Sequence, residues 1–558
     1  MADHRAAGDI EGILSRIDGR GYKAYKQLAG SSQRVNRVTV RVARVQGDPF
    51  APPSVVVAEG PVEPGPWTRA PVAAADYALR RAWRAAQKLS LRGAGEGHSG
   101  LIRLPRPGPA MLRRSALELV RRGREWRLVL RAWVGLPSRR RRVLAGEART
   151  LLLERVPRLW LEASKALEEP GVSRFVEAWV EQEYIRSRLP ELGLVSFIGD
   201  GSILPRACGG CEEPLEDAVP FESPPSLRVE IELPTGKTVT GMGVPEGLTL
   251  IAGPAFHGKT TLLEAIAAGV WNHRPGDGRE YVVTRRDAVW VRSENGRSVS
   301  CVDVSPWVES LPGLRDPECW STSDASGATS AIASVQEAVE AGSRLILVDE
   351  DWTATNFIHR DVWTEEVTGK RTLLTISDLA PSLRRAGVSI VIVASGSIPL
   401  LAAADTVIVM DEYRPRDATT YAERARRAAM NLGLAPAARD YKQPKPRRLA
   451  SRLRLEKPRL RGTLLESKSL RERVELSAVA AQLAEERQLE TVVSLVAVLL
   501  SKPGILVGEA EQLADAVAAG DWRRAGLGES PGHVEVRLVD IVQAANRVPG
   551  LPVEKLRA

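Results

Sequence analysis

Between Leu248 and Leu263 the chain reads Leu-Thr-Leu-Ile-Ala-Gly253-Pro254-Ala255-Phe256-His257-Gly258-Lys259-Thr260-Thr261-Leu-Leu. A short apolar run ends in a glycine, four residues intervene, then Gly-Lys-Thr opens a run of good helix formers. This is the phosphate-loop pattern, with the strand and helix it needs on either side. Glycines let the backbone curl so that successive N–H groups face phosphate oxygens, and the N-terminus of the following helix adds its positive dipole end. The pattern assigns Gly253 to Thr261 to the phosphates, with Lys259 reaching the terminal ones and the Thr260 hydroxyl available to Mg2+.

A second apolar run, Leu345-Ile-Leu-Val-Asp349-Glu350, ends in two acids. In one sheet with a phosphate loop this is the Walker B arrangement: Asp349 holds Mg2+ beside Thr260, and Glu350 orients the attacking water. Apolar strand candidates alternate with helices from about 226 to 417, which predicts a largely parallel sheet covered on both faces. Just upstream of Walker B, Ser326-Gly327 precedes a helix that starts near Ala331, another anion-binding device.

Composition sets the remaining bounds. At 558 residues the chain has length for roughly three or four domains. Three consecutive regions are expected: 1–225 of mixed α and β character, 226–417 as the nucleotide-binding core, and 418–558, mostly helical. The polar opening residues, and the lack of any apolar stretch of membrane-spanning length, predict a cytoplasmic protein. Few Asn and Gln beside abundant Arg, Glu, Val and Leu lean towards a thermophile, a bias that a GC-rich genome also produces. Cys208-Gly-Gly-Cys211 lacks a second pair at zinc spacing, so a local disulfide or free thiols are expected.

The net charge of +9 and pI of about 9.5 admit a polyanionic partner. Two clusters carry that expectation: Arg139, Arg140, Arg141 and Arg142 in a turn, and Lys442, Lys445, Arg447, Arg448, Arg452 and Arg454 in a Pro-punctuated stretch. Tyr22, Tyr25, Trp126, Trp133 and Tyr441 are candidate stacking rings for bases, with RNA the first choice.

Together these words resemble the soluble ATPases of the ABC class found in archaea, bacteria and some protists. The resemblance rests on Phe256-His257-Gly258-Lys259, Asn272-His273-Arg-Pro-Gly276-Asp277-Gly278-Arg279-Glu280, Val302-Asp303-Val-Ser305-Pro306, Asp349-Glu350-Asp351 with Ala354-Thr355-Asn356-Phe357, and Met410-Asp411-Glu412-Tyr413-Arg414-Pro415. It implies an α/β fold: an ABC-type P-loop domain between family-specific N-terminal α+β and C-terminal mostly helical domains. It also implies ATP and Mg2+ as ligands, and a head-to-tail homodimer in which Ser326 and Gly327 of one copy close the site of the other.

Departures from ordinary ABC proteins are part of the expectation. No Gln stands near Val302–Pro306, which leaves Asp303 or Ser305 as a metal or water sensor. The usual switch His is replaced by Ser395, so hydrolysis is expected to be slow and to fall on Glu350. No aromatic lies between Phe221 and Phe256 to stack the base. The short stretch from Ser305 to Ser323 has little room for a domain that grips a membrane subunit. Two other readings stand beside the nucleic-acid one: a ribosome- or protein-associated factor, and an ATP-using small-molecule enzyme with Asp18, Asp48, Asp200 and Arg206 in a pocket.

Overall fold

The computed structural model describes residues 9–556 except 92, 94, 311–312, 361–362, 364–366, 368–370 and 433–438. The chain divides into two compact units, one of residues 1–180 with 516–535, the other of residues 181–515 with 536–558. This differs from three consecutive segments at both expected boundaries.

The first unit is an antiparallel sheet with helices on it. Strands run in the order Ser32–Val35, Val38–Arg44, Ser54–Val62, Glu125–Val134, Ile102–Arg103, and Leu117–Arg122 also pairs with Glu125–Val134. Helices Pro71–Leu89 and Val156–Ala166 bury Ala78, Leu79, Leu159 and Trp160 against Val40, Val56 and Ala58. Residues 109–122 have helical periodicity in the sequence, yet Ala110–Met111 and Leu117–Arg122 are strands. Gly123, at φ 63°, makes the tight turn to Glu125, and the pairing Arg122↔Glu125 puts Leu117 and Leu119 into the core. Sheet pairing here outweighs the local helical pattern. Residues 516–535 return to this unit: the Trp522 indole donates to Glu118 at 3.0 Å, and the His533 amide donates to the Ser115 hydroxyl at 3.0 Å.

In the second unit a six-stranded sheet runs Val289–Val291, Leu345–Asp349, Ser389–Val393, Leu248–Ala252, Thr406–Asp411, Arg414–Asp417. The first five are parallel and the last is an antiparallel hairpin partner. Leu248–Ala252, Leu345–Asp349 and Ser389–Val393 are buried along their whole length, as strands covered on both faces must be. In the sequence the apolar region 388–410 reads as two buried strands around a turn. The strands are there, but helix Ile398–Ala403 joins them as parallel neighbours on opposite sides of Leu248–Ala252.

A second, four-stranded antiparallel sheet has the order Arg228–Glu232, Thr238–Pro245, Leu194–Gly199, Val282–Thr284. It draws Leu194–Gly199 out of the expected N-terminal domain. Helix Gly327–Glu340 explains why the C-terminal residues join this unit. It is buried nearly all round, polar Ser330, Ser334, Gln336 and Glu337 included, so it needs cover beyond the sheet. Gln543 donates to the Ser334 carbonyl at 3.2 Å, and Arg547 pairs with Glu294 at 2.5 Å. Among the described residues no helix is long and apolar enough to cross a membrane. Between Ser305 and Ser323 the described residues hold two short 3-10 turns and the start of strand Trp320–Ala325.

Candidate active site

The phosphate loop leaves strand Leu248–Ala252 and enters helix Lys259–Ala268. Gly253 sits at φ 134°, and a Cβ there would lie 2.3 Å from the Met410 carbonyl oxygen, so only glycine fits. Gly258, at φ 92°, caps the helix. Phe256 also has a positive φ, 64°, and its side chain is 95% exposed. A bulky residue held in this region marks strain that function retains.

A cleft of about 590 Å3 opens over the loop, lined by Gly253, Ala255, Phe256, Gly258, Lys259, Thr260 and Thr261, with Asp349, Glu350 and Ser395 facing them. The Thr260 hydroxyl donates to Asp349 Oδ2 at 3.0 Å, and the Asp351 amide donates to Asp349 Oδ1 at 3.0 Å. Burial pushes the Asp349 carboxyl above its usual range, against the lowering effect of those two donors. Lys259 Nζ donates to the Gly253 and Pro254 carbonyls at 2.9 and 2.8 Å. Pro254 therefore serves through its carbonyl. His257 accepts the Glu412 amide at 2.9 Å and fixes the neighbouring hairpin instead of facing the cleft.

Glu350 is oriented from two sides. The Ser395 amide donates to Glu350 Oε2 at 2.7 Å. His359 Nε2 lies 3.8 Å from Glu350 Oε1. Sequence reading missed His359, because it lies nine residues past Glu350 and not at the end of strand Ser389–Val393.

Asp303 does not line the cleft. Its carboxylate accepts the Ser305 amide at 3.0 Å, and its carbonyl accepts from Gln336 at 2.6 Å. The residue that follows the edge strand beside Walker B is Arg292, also missed. Its guanidinium lies between Trp290 and Trp352, 4.4 and 4.6 Å from the ring centroids. Burial lowers its pKa, while Glu264 and Asp349 act to raise it.

A second cleft, about 450 Å3, carries Ser326, Gly327, Ala354 and Asn356 with Ser293 and Asn295. Ser326 caps helix Gly327–Glu340, with its hydroxyl 2.9 Å from that of Thr329. The two clefts share Asp351 among their lining residues. Ser326 and Gly327 do not line the phosphate cleft of their own chain.

The chain matches two family models: the N-terminal domain of ATPases of the ABC class over residues 7–165, and their P-loop domain over residues 168–447. The chain belongs to the ATPases of the ABC class. As such it carries the family's P-loop domain, and the Gly253–Thr261 loop lies within it. Its relatives include the uncharacterized protein MJ1628 of Methanocaldococcus jannaschii, 32% identical over 265 residues, which are 45% of this chain and 58% of that one. The chain therefore spans just under three fifths of that relative's length. Among solved structures, cbiO1 from Clostridium perfringens, part of the ABC transporter complex cbiONQ, aligns at 14% identity over 43% of this chain and 96% of its own, with a TM-score of 0.27. The ADP conformation of MJ1267, an ATP-binding cassette of an ABC transporter, aligns at 11% identity over 36% and 91%, with a TM-score of 0.23. Scores this low add nothing to the family match.

Several expected contacts are framework instead. Arg447 is buried on Glu340, its Nε 2.8 Å from the carboxylate, and is unavailable to a polyanion. Tyr22, Tyr25, Trp133 and Tyr441 are buried, and the Tyr441 hydroxyl is 2.6 Å from Gln336, so these four cannot stack bases. Trp126 packs edge-on against Trp67. Asp18 accepts the Ala145 amide, Asp48 the Phe50 amide, and Asp200 the Ser223 amide, while Arg206 pairs with buried Asp277 at 2.8 Å. None of the four lines either cleft. Cys208–Cys211 and Cys301–Cys319 are disulfides.

Proposed function

We propose that this ABC-class ATPase hydrolyses ATP at two composite sites of a head-to-tail homodimer and couples closure to RNA binding. The observation that carries the reading is that the two half-sites line different clefts of one chain. The phosphate cleft holds Lys259, Thr260, Asp349 and Glu350, and the other holds Ser326 and Gly327. A second copy, turned head to tail, supplies what each cleft lacks.

Thr260 and Asp349 present a hydroxyl and a carboxylate side by side, hard oxygen donors that suit Mg2+. The ion, when bound, offsets the charge of the phosphate oxygens. Lys259 moves from the loop carbonyls to the terminal phosphates. Glu350, held by the Ser395 amide, accepts a hydrogen bond from water and aims it at the γ-phosphorus. The bond from γ-phosphorus to the bridging oxygen breaks, giving ADP and phosphate. Ser326 and the helix N-terminus of the second copy bind the γ-phosphate oxygens. With a serine in place of the switch His, turnover is slow.

Exposed Lys442, Lys445, Arg448, Arg452 and Arg454, with Arg139 to Arg142, support RNA as the partner. A protein found in the cytoplasm, with no membrane subunit, fits this reading.

Sedimentation with ATP tests the dimer. Glu350→Gln is expected to sediment as a dimer and Lys259→Ala as a monomer. A chain that stays monomeric with ATP in both wild type and Glu350→Gln rules the composite site out. A salt-dependent gel shift with RNA and with single- and double-stranded DNA tests the partner, and co-sedimentation with ribosomes identifies the factor reading instead.

A further inference from the structure

Beside the phosphate cleft lies a separate apolar slot of about 320 Å3, lined by Leu204, Val219, Phe221, Met410 and Tyr413. It adjoins the cleft through Gly258, Thr261 and Tyr413, which line both. Phe221 and Met410 are buried and form its back, while the Tyr413 side chain is 56% exposed at its mouth.

Tyr413 is placed there by an unusual turn. Strands Thr406–Asp411 and Arg414–Asp417 pair Asp411 with Arg414, so Glu412 and Tyr413 form a two-residue loop. Both have positive φ, 47° and 67°. Loops of this kind favour Asn-Gly, and a tyrosine at positive φ is an outlier. The contacts holding the turn come from the phosphate loop: His257 Nδ1 accepts the Glu412 amide at 2.9 Å and lies 3.4 Å from Asp411 Oδ1. A Cβ on Gly258 would lie 3.3 Å from the Tyr413 ring. The ring is therefore seated on the loop, where the slot and the phosphate cleft meet.

We propose that this slot takes the purine base of the bound nucleoside triphosphate, with Tyr413 as its stacking ring. Base–aromatic stacking needs an exposed π-face beside an apolar wall, and a slot of this size with such a wall is what small planar ligands occupy. The proposal rests on nucleotide binding at Gly253–Thr261 and supplies the ring that is missing between Phe221 and Phe256.

Calorimetric titration of the full chain with ATP, and with inorganic tripolyphosphate, each in Mg2+, separates base from phosphate contacts. Tyr413→Ala is expected to weaken ATP about tenfold or more and to leave tripolyphosphate unchanged. Ala218 also lines the slot; Ala218→Trp, which narrows it, gives the same pattern, and Tyr413→Phe keeps ATP affinity. Unchanged ATP affinity in Tyr413→Ala and Ala218→Trp overturns the slot, as does equal weakening of ATP and tripolyphosphate. A wild type that binds neither ligand overturns the nucleotide reading itself, and the slot with it.

Discussion

His359 Nε2 lies 3.8 Å from Glu350 Oε1, and neither ring nitrogen of His359 has a hydrogen-bond partner among the described residues although both are buried. A buried polar group left unpaired costs stability, so its retention at the carboxylate that aims the water points to a positioning role. His359→Ala is expected to lower kcat about tenfold or more while KM for ATP holds. His359→Gln, which keeps a donor there, recovers part of the loss. A drop in thermal stability with kcat intact assigns the histidine to packing.

Lys259 Nζ is held by its own loop's carbonyls, and phosphates replace those acceptors on binding. Lys259→Ala removes the charge without emptying a core. ATP at about a hundred times its Kd is expected to stabilise the wild type by about 2.7 kcal/mol. The melting temperature of Lys259→Ala is expected not to respond to ATP, and an equal shift in both proteins means that the lysine does not bind the phosphates.

The phosphate loop and Walker B were legible because their chemistry is local: a glycine at fixed spacing, a lysine, an acid at a strand end. The structure gathers Gly253, Lys259, Thr260, Asp349 and Glu350 into one cleft. What sequence could not reach depends on distant segments. Arg292 is placed next to the Walker B strand only once Val289–Val291 is known to pair with Leu345–Asp349. Asp303 looked like a sensor because it is acidic and near the missing Gln, yet it closes a turn on Ser305. The Asn272–Glu280 segment, which carries part of the family resemblance, is a brace: Asn272 donates to Glu183 at 2.6 Å, and Asp277 lies 2.7 Å from His273.

That brace has a pH signature. Burial pushes the Asp277 carboxyl up, but His273 and Arg206 outweigh it, and the net shift is downward. A carboxyl whose folded pKa lies below its unfolded one adds stability above the unfolded pKa. That stability is lost as pH falls through the folded value. The wild type is expected to lose stability on acidification below about pH 4, where unfolded aspartates titrate. Asp277→Asn should show a shallower acid limb in thermal melts and a lower melting temperature at neutral pH. An acid limb of unchanged slope in Asp277→Asn assigns acid sensitivity to other carboxyls.

The basic stretch divides into two chemical roles that mutation can separate. Arg447 is buried with Glu340 and also donates to the Ser300 carbonyl at 2.8 Å, whereas Arg448, Arg452 and Arg454 are exposed. Removing one partner of a buried pair leaves an uncompensated charge, which costs about 3–5 kcal/mol. Arg447→Ala is therefore expected to lower stability in denaturant melts by about that amount. Replacing Arg448, Arg452 and Arg454 together with Glu should leave stability within about 0.5 kcal/mol per site. If these three meet phosphates of single-stranded RNA, the plot of log affinity against log salt loses about 0.7 of slope for each contact removed. An unchanged salt slope in the triple variant places the RNA contacts elsewhere, and a stable Arg447→Ala denies the buried pair its structural role.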